Sequence, residues 1–308
     1  MVITIVITIV ITIAAILVVY LAISAYIAHS IMKVPRLPLG DNPASVGLSY
    51  EDVAFPSRID KLTLRGWYIA GQNGFNIIIV TGMRQNRVDY SIGILEMTKD
   101  LVKEGYSVLL FDQRGRGESE GNGVLLTKVE RDIGGAVDYL KGRGCPAEKI
   151  VFIGFSAGAA SAIVFASSED VAALVSDSCF ANVADTFIGK GASESGLPRQ
   201  IIKIFGMGTL FMSTILYGYR KVNPIDRVAD VSCPIFFIQG KKDDLVPVED
   251  AYELLAASGK PSDEIWIVPD AEHTETYCID PVGYIERVAS FLAKVEQGKK
   301  RPASTSSQ

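Results

Sequence analysis

The chain has 308 residues, 48% of them hydrophobic, which is enough material for one large core. Its formal net charge of -5 argues against nucleic acid as a partner. The spacings that bind zinc, the Walker loop and the dinucleotide-binding fingerprint do not occur in the sequence.

Residues 1–32 begin with a long uncharged segment. No charged side chain occurs from Val2 to Ala28, and about 20 apolar residues suffice for a helix to cross a bilayer. The many β-branched residues favour a strand in water, but an isolated strand in lipid leaves its backbone unpaired, so a helix is predicted. We expect residues 1–32 to form a transmembrane anchor and the segment by which it leaves the membrane. A cleaved signal peptide with a site at Ala22-Ile23-Ser24 is the alternative.

The charges that flank this segment bear on topology. Lys33 and Arg36 follow it, whereas the amino terminus is the one basic group before it. The positive-inside rule therefore favours a single-pass protein of the cell membrane with its folded domain in the cytoplasm. Residues 33–49 are predicted to form a linker, because Pro35 and Pro38 break the helix.

Residues 50–296 are predicted to form one doubly wound α/β domain, since predicted strands and helices alternate along them. The polar segment 297–308 is predicted to be a disordered tail. Eight strands are placed at about 51–55, 62–69, 76–81, 107–111, 149–153, 171–177, 234–239 and 263–268. Between the sixth and seventh lies an insertion of about 50 residues, 181–231, which is longer than the usual connection in such domains.

A Gly-x-Ser-x-Gly segment, Gly154-Phe155-Ser156-Ala157-Gly158, joins a predicted buried strand to a helix of small residues. A sharp turn of this kind strains the serine backbone and leaves no room for flanking side chains, which explains the two glycines. It also places Ser156 at a helix N-terminus, where backbone NH groups such as that of Ala157 can bind an oxyanion. A glycine-rich packing turn is the alternative interpretation.

A serine nucleophile needs a base and a carboxylate. The chain has two histidines: His29 ends the apolar segment and is expected at the membrane interface, whereas His273 follows a predicted buried strand, at the sheet edge where ligands bind. Asp243 and Asp244 both follow another buried strand, and either can orient the histidine. The order serine, aspartate, histidine is the one seen in α/β-hydrolases.

These motifs resemble those of the α/β-hydrolase superfamily from about residue 50 to residue 294. Residues 111–119 resemble its Asp-x-Arg-Gly-x-Gly-x-Ser loop, and residues 240–247 resemble Gly-x-x-Asp-x-x-Val-Pro, whose first aspartate is the triad acid. The resemblance therefore implies Asp243 as the acid and Asp244 as a solvated turn residue. The first predicted hairpin, residues 50–57 and 64–68, is similar to that of membrane-anchored lysophospholipase-like and serine-aminopeptidase-like hydrolases.

The resemblance implies an α/β-hydrolase fold: a mostly parallel eight-stranded sheet with helices on both faces, preceded here by one transmembrane helix. It also implies that 181–231 form a small helical lid over an acyl pocket. An ordinary core helix is the alternative for the apolar centre of this segment.

The family's second oxyanion donor comes from the loop after the third strand. In this chain Thr81 replaces the usual histidine, but Gly82 is kept, so the resemblance implies the backbone NH of Met83 as the donor. The rigidity of the loop depends on what replaces that histidine. Arg84 and Arg87 in the same loop are expected to be solvated charges, with anion recognition as the alternative.

The sequence thus predicts a membrane-anchored serine hydrolase that cleaves a carboxylic ester or thioester of an acyl-lipid-like substrate through an acyl-enzyme on Ser156. His273 acts as base, Asp243 orients it, and no cofactor or metal takes part. The predicted partners are this small molecule and, through the N-terminal helix, membrane lipid. The alternatives are a serine aminopeptidase-like peptidase and a non-catalytic, membrane-tethered binding protein on a hydrolase scaffold.

Overall fold

A computed structural model describes the backbone of residues 1–300 and the side chains of residues 1–298. Most of the predicted tail, 301–308, lies outside the described residues. The last helix runs to Lys300, so 297–300, which the sequence places in the tail, belong to that helix.

Eight strands form one sheet in the order β1-β2-β4-β3-β5-β6-β7-β8. β1 pairs with β2 and β2 with β4 in antiparallel fashion, and all the other pairs are parallel. The mostly parallel eight-stranded sheet is therefore confirmed. The strands are β1 (Glu51–Pro56), β2 (Thr63–Ile69), β3 (Asn76–Val80), β4 (Ser107–Phe111), β5 (Ile150–Phe155), β6 (Ala173–Asp177), β7 (Ile235–Gly240) and β8 (Glu264–Val268).

Helices cover both faces of the sheet. The described helices are α1 (Val2–Met32), α2 (Ile94–Lys103), α3 (Val129–Gly142), α4 (Ala157–Ala166), α5 (Val183–Ser195), α6 (Arg199–Tyr217), α7 (Val248–Ser258), α8 (Thr276–Ile279) and α9 (Pro281–Lys300). Side chains of α3, α4 and α7 share one apolar core cluster, and those of α2 and α9 belong to a second cluster on the opposite face. Every residue of β3 to β7 is buried, as expected for strands covered on both sides.

The register aligns the carboxyl ends of the central strands. Val80 of β3 lies opposite Gly154 of β5, and Phe155 lies opposite Asp177 of β6. The loops that follow these strands therefore meet at one edge of the sheet, the edge where ligands bind in open α/β folds.

The N-terminal helix α1 has two parts. Residues 1–19 are exposed along their whole length, whereas the part from Tyr20 onward packs on α6. The Tyr20 hydroxyl donates a hydrogen bond to the carbonyl of Ile204 (2.8 Å), and His29 Nδ1 lies 2.6 Å from the Tyr217 hydroxyl. Tyr20 contacts Ile204, and further along both helices His29 contacts Tyr217, so α1 and α6 run in the same direction.

The insertion 181–231 folds into the helix pair α5 and α6, followed by short 3-10 turns at 224–226 and 228–230. α6 is not an enclosed core helix. Its buried positions are small residues such as Gly208 and Ser213, while Met207, Phe211 and Ile215 are each more than half exposed. The pair thus presents an apolar face outward.

The predicted linker, residues 33–49, lies against the domain. Val34 is buried and donates its NH to the carbonyl of Gly123 (3.0 Å). The Arg36 guanidinium donates to the carbonyls of Gly117, Ser119 and Gly121. These contacts hold the exit of α1 in a fixed position relative to the sheet.

Candidate active site

Ser156 occupies the turn between β5 and α4 with φ 51° and ψ -118°, a conformation that costs a non-glycine residue free energy. Its NH donates to the carbonyl of Asp177 (2.8 Å), which helps to hold it there. A Cβ on Gly154 would lie 2.6 Å from Ala159 Cα, and one on Gly158 would lie 2.0 Å from the carbonyl oxygen of Val80. Both glycines are therefore sterically required.

The structure brings Ser156, His273 and Asp243 together. His273 Nε2 lies 2.9 Å from Ser156 Oγ, and His273 Nδ1 lies 2.7 Å from Asp243 Oδ2. Because an ionised carboxylate can only accept, Nδ1 carries the imidazole proton and Nε2 is left to accept from the serine hydroxyl. This is the arrangement that a general base for serine requires.

Asp243, rather than Asp244, faces the histidine. Its buried carboxylate accepts the NH groups of Leu245 (2.9 Å) and Val246 (2.8 Å) and the side-chain amide of Gln239 (2.9 Å). Asp244 is exposed. The hydrogen bonds fix the orientation of the Asp243 carboxylate and, through it, that of the imidazole.

Two loops place backbone NH groups around Ser156. Ala157 is the first residue of α4, so its NH is one of the first-turn donors without a partner inside the helix. The loop after β3 lies against the serine, since a Cβ on Gly82 would be 3.3 Å from Ser156 Cβ. Met83 follows Gly82 directly in this loop.

The loop after β3 is held by side chains that the sequence did not single out. Gln85 Oε1 accepts the NH of Gly82 (2.6 Å), and Gln113 Nε2 donates to the carbonyl of Thr81 (2.9 Å). The Arg116 guanidinium donates to the carbonyl of Gly82. The loop is therefore braced although Thr81 replaces the family's histidine.

Arg116 makes the central contact that holds the loop after β3. Its side chain is 4% exposed, and burial lowers its pKa to about 10, so it stays charged near neutral pH. The segment 111–119 was recognised in the sequence as a motif, but its residue pattern does not reveal that Arg116 reaches across to the loop after β3.

The expectation of solvated arginines fails for Arg87. It is 2% exposed, pairs with Asp112 (3.0 Å), and its guanidinium lies 4.0 Å from the centre of the Trp67 ring. Burial raises the pKa of Asp112. Arg87 therefore ties the loop after β3 to the one after β4. Arg84 is exposed, as expected, and donates to the carbonyl of Ser30 in α1 (3.3 Å).

A second buried carboxyl group, Asp177, ends β6 beside the serine turn. It accepts hydrogen bonds from the hydroxyls of Ser178 (2.9 Å) and Thr276. Burial raises the pKa of Asp177 to about 7. Because Thr276 lies three residues after His273, this cluster connects the histidine loop to the turn that holds Ser156. An acidic residue at the end of a predicted buried strand is the signal in the sequence that could have indicated this cluster.

The second histidine and the exposed cysteine Cys278 lie outside the Ser156 cluster. His29 contacts Tyr217 and not the Ser156 cluster. Cys278 is exposed, with its Sγ 3.5 Å from the carbonyl of Ser91. Among residues 1–300, no group of three or more His, Cys, Asp or Glu side chains is placed to hold a metal ion.

A strained serine on a strand-to-helix turn, with an Asp-His pair on later loops of a parallel sheet, defines an α/β-hydrolase. The family model described as "Serine aminopeptidase, S33" matches residues 76–194. Among solved structures, the esterase Pf2001 of Pyrococcus furiosus is similar, with 28% identity and a TM-score of 0.73, covering 86% of this chain and 98% of that one. The chain belongs to the α/β-hydrolase superfamily.

Curated relatives extend over most of the chain. An uncharacterized protein of Mycobacterium tuberculosis is 29% identical over 240 residues, which cover 76% of each chain. The Arabidopsis thaliana α/β-hydrolase domain-containing protein WAV2 is 25% identical over 84% of this chain and 83% of its own. A Saccharomyces cerevisiae protein described as an uncharacterized membrane protein is 25% identical, covering 84% of both.

Proposed function

We propose that the protein is a membrane-anchored serine hydrolase that cleaves a carboxylic ester or thioester of an acyl-lipid-like substrate. The observation that carries the proposal is the position of the His273 imidazole, with Ser156 Oγ 2.9 Å from one nitrogen and Asp243 Oδ2 2.7 Å from the other. The esterase named among the similar structures supports the same class of reaction.

Acylation begins when His273 Nε2 takes the hydroxyl proton of Ser156 as Oγ attacks the carbonyl carbon of the substrate. The negative charge that develops on the carbonyl oxygen is bound by the backbone NH groups of Ala157 and Met83. Asp243 accepts from Nδ1 throughout and stabilises the imidazolium. The intermediate then collapses, the bond to the leaving group breaks, and His273 returns the proton to that group.

Deacylation repeats these steps with water. His273 Nε2 takes a proton from a water molecule, the hydroxide attacks the acyl carbonyl, and the bond to Ser156 Oγ breaks as the serine recovers its proton. The products are a carboxylic acid and the free enzyme. The residues of the site suffice for each transfer, so the proposal needs no cofactor.

The proposed anchor is α1. Among residues 1–300, α1 and α6 are the helices long and apolar enough to cross a membrane, and no part of the most apolar stretch of α1 is buried. The yeast relative described as a membrane protein supports the assignment. We propose one span, α1, with the domain on the cytoplasmic side. Retention of the protein in membranes washed with alkaline carbonate tests the anchor. Protection of the domain from protease added to sealed vesicles of known orientation tests on which side of the membrane the domain lies.

The proposed reaction is tested by rapid mixing with a chromogenic acyl ester. We expect a burst of released alcohol that matches the amount of enzyme, followed by slower turnover, and we expect both to disappear in Ser156→Ala. Ser167→Ala, at the far end of the same helix, is the matched control and keeps both phases. Equal turnover by Ser156→Ala would remove the serine from the mechanism.

A peptidase is the second candidate, because the matching family model carries the name of a serine aminopeptidase. Asp185 and Glu194, which line the cavity next to α5 and α6, are carboxylates that a substrate amine would meet. Rates for p-nitrophenyl acyl esters, which release a phenol, and for aminoacyl p-nitroanilides, which release an aniline, distinguish the two. Faster cleavage of the amides, lost in Asp185→Asn, would favour the peptidase.

A further inference from the structure

An apolar cavity of about 690 Å³ lies between the end of α1 and the helix pair α5 and α6. Small-molecule sites in proteins commonly measure about 300–1,000 Å³. Most of its apolar lining comes from three elements: Ile27 and Ile31 from α1, Phe187 from α5, and Phe205 and Leu210 from α6. The cavity is therefore large enough and apolar enough for a hydrocarbon chain.

The α1 wall of this cavity is held in place. Ser24 and Ala28 of α1 are fully buried, and a Cβ on Gly208 of α6 would lie 2.2 Å from Ser24 Oγ. Small residues at such a contact let two helices approach closely, as they do in membranes. The Tyr20 bond to the carbonyl of Ile204 adds a second attachment.

One contact joins the carboxyl end of this wall to the loop after β3. Met32 of α1 and Leu125 line the cavity and belong to the core cluster that includes Ala157, with Met83 packed against it. One residue after the Met83 position, Arg84 donates to the carbonyl of Ser30 in α1 (3.3 Å). The end of the anchor helix thus contacts the loop that supplies the proposed oxyanion donor.

The end of the cavity formed by Phe205 lies beside Tyr20, where the exposed part of α1 ends. The exposed residues 2–19 of α1 form about 27 Å of helix at about 1.5 Å per residue, close to the roughly 30 Å hydrocarbon core of a bilayer. Tyr20 then falls at the boundary, where aromatic residues are enriched. Ile204 of α6 contacts Tyr20 at that level, and the exposed side chains of Ile201 and Met207 continue the apolar surface.

We propose that α1 is a wall of the acyl-chain site as well as the anchor: one acyl chain of a membrane amphiphile passes sideways from the bilayer into the space between α1, α5 and α6. The proposal that the acyl chain binds in this space rests on the geometry alone. The delivery of its ester or thioester carbonyl to Ser156 rests on the proposed function.

Filling the cavity from two independent walls tests the proposal. Ile31→Trp on α1 and Leu210→Trp on α6 are compared with Ile16→Trp, which adds the same bulk at a position of α1 that is 64% exposed. The full-length proteins in detergent micelles are assayed for kcat/KM with the p-nitrophenyl esters of acetate and palmitate. We expect a loss of about tenfold or more for palmitate, with acetate changed less than about twofold, in the two cavity variants. The control keeps both rates.

Equal losses for both esters, or the same loss in Ile16→Trp, would overturn the proposal. Absence of hydrolysis of either ester by the wild type counts against the proposed function, and a binding experiment then decides the inference without turnover. A diazirine-bearing palmitate is photolysed with Ser156→Ala protein. We expect labelling of the α5 peptide that contains Phe187 and its loss when Ile31→Trp is added. Labelling of α5 that persists in the Ile31→Trp protein would contradict the cavity as the site of the acyl chain. The absence of any label on α5 would contradict it as well.

Discussion

The Arg116 guanidinium donates a hydrogen bond to the carbonyl oxygen of Gly82, in the loop that lies against Ser156. The same guanidinium approaches the carbonyl of Gln85 (3.3 Å). A buried cation thus fixes the backbone whose next NH, that of Met83, is the proposed oxyanion donor. In this chain the arginine, and not a histidine at position 81, provides the rigidity that the loop needs.

Replacing this arginine is expected to lower kcat more than it raises KM. Loss of one oxyanion donor typically costs about 100- to 1,000-fold in rate, and Arg116→Lys keeps the charge but offers fewer fixed donors, so we expect a fall of roughly tenfold or more. Steady-state kinetics with a short acyl ester give the two constants.

A folding defect is separated from this effect by melting temperature. Arg65→Lys, at an exposed position of β2, serves as the matched control and keeps the wild-type constants. An Arg116→Lys protein that melts like the wild type and keeps its kcat would show that the brace has no part in catalysis.

The two neighbouring aspartates after β7 are expected to behave differently. Asp243→Asn removes the carboxylate that holds the imidazole tautomer, a change that lowers kcat by about 10⁴ in a serine triad. Asp244→Asn changes an exposed side chain and should leave kcat within about twofold. Ester hydrolysis by the two purified variants, measured at the same pH, gives the comparison, and a reversed order of effects would reassign the acid.

Asp177 is expected to make stability depend on pH. Its pKa is raised to about 7 in the folded protein from an ordinary value of 3.8. Between these two values the folded chain keeps a proton that the unfolded chain has lost, so stability falls as pH rises through this window and levels off above it. The resulting loss in the free energy of unfolding reaches up to about 4 kcal/mol.

Melting temperatures at pH 5 and pH 8 measure this effect. Asp177→Asn cannot ionise, so the wild type should lose more stability than the variant between the two values. Asp244→Asn, at an exposed carboxylate, should follow the wild type. Parallel curves for Asp177→Asn and the wild type would show that the buried carboxyl does not titrate in this range.

Two glycines of α6 offer a matched test of the contact with α1. A Cβ on Gly206 meets its nearest neighbour at 3.4 Å, whereas one on Gly208 would lie 2.2 Å from Ser24 Oγ and 2.5 Å from the Tyr20 hydroxyl. Alanine is favoured over glycine in helices by about 1 kcal/mol. We therefore expect Gly206→Ala to raise the melting temperature and Gly208→Ala to lower it. Equal effects would mean that α1 and α6 do not pack in this way in the folded protein.

The sheet was predictable because local patterns determine it. Each buried strand is a short apolar run ended by turn residues, and parallel strands place the following loops at one edge. The strand assignments therefore agree with the structure to within a few residues. The same edge rule predicts Ser156 and His273 in one region of the sheet. The choice between Asp243 and Asp244 needs the family resemblance.

The supporting contacts were not predictable in the same way. Arg116 and Arg87 look like loop charges in the sequence, and their burial depends on carbonyls and carboxylates contributed by other loops of the folded chain. Asp177 likewise acquires its partners, Ser178 and Thr276, through the approach of the histidine loop. The packing of α1 on α6 joins segments about 180 residues apart in the sequence, and no short-range pattern records such a pairing.

Labelling by a fluorophosphonate tests the central claim most directly, because this reagent reacts with a serine that a neighbouring base has activated. The full-length protein is treated in detergent micelles, digested, and the modified residue is located by mass spectrometry. We predict one adduct on Ser156, slowed strongly in His273→Ala and absent in Ser156→Ala. Unlabelled Ser156 in protein that is folded by its melting curve would contradict the account and would favour a binding protein on a hydrolase scaffold.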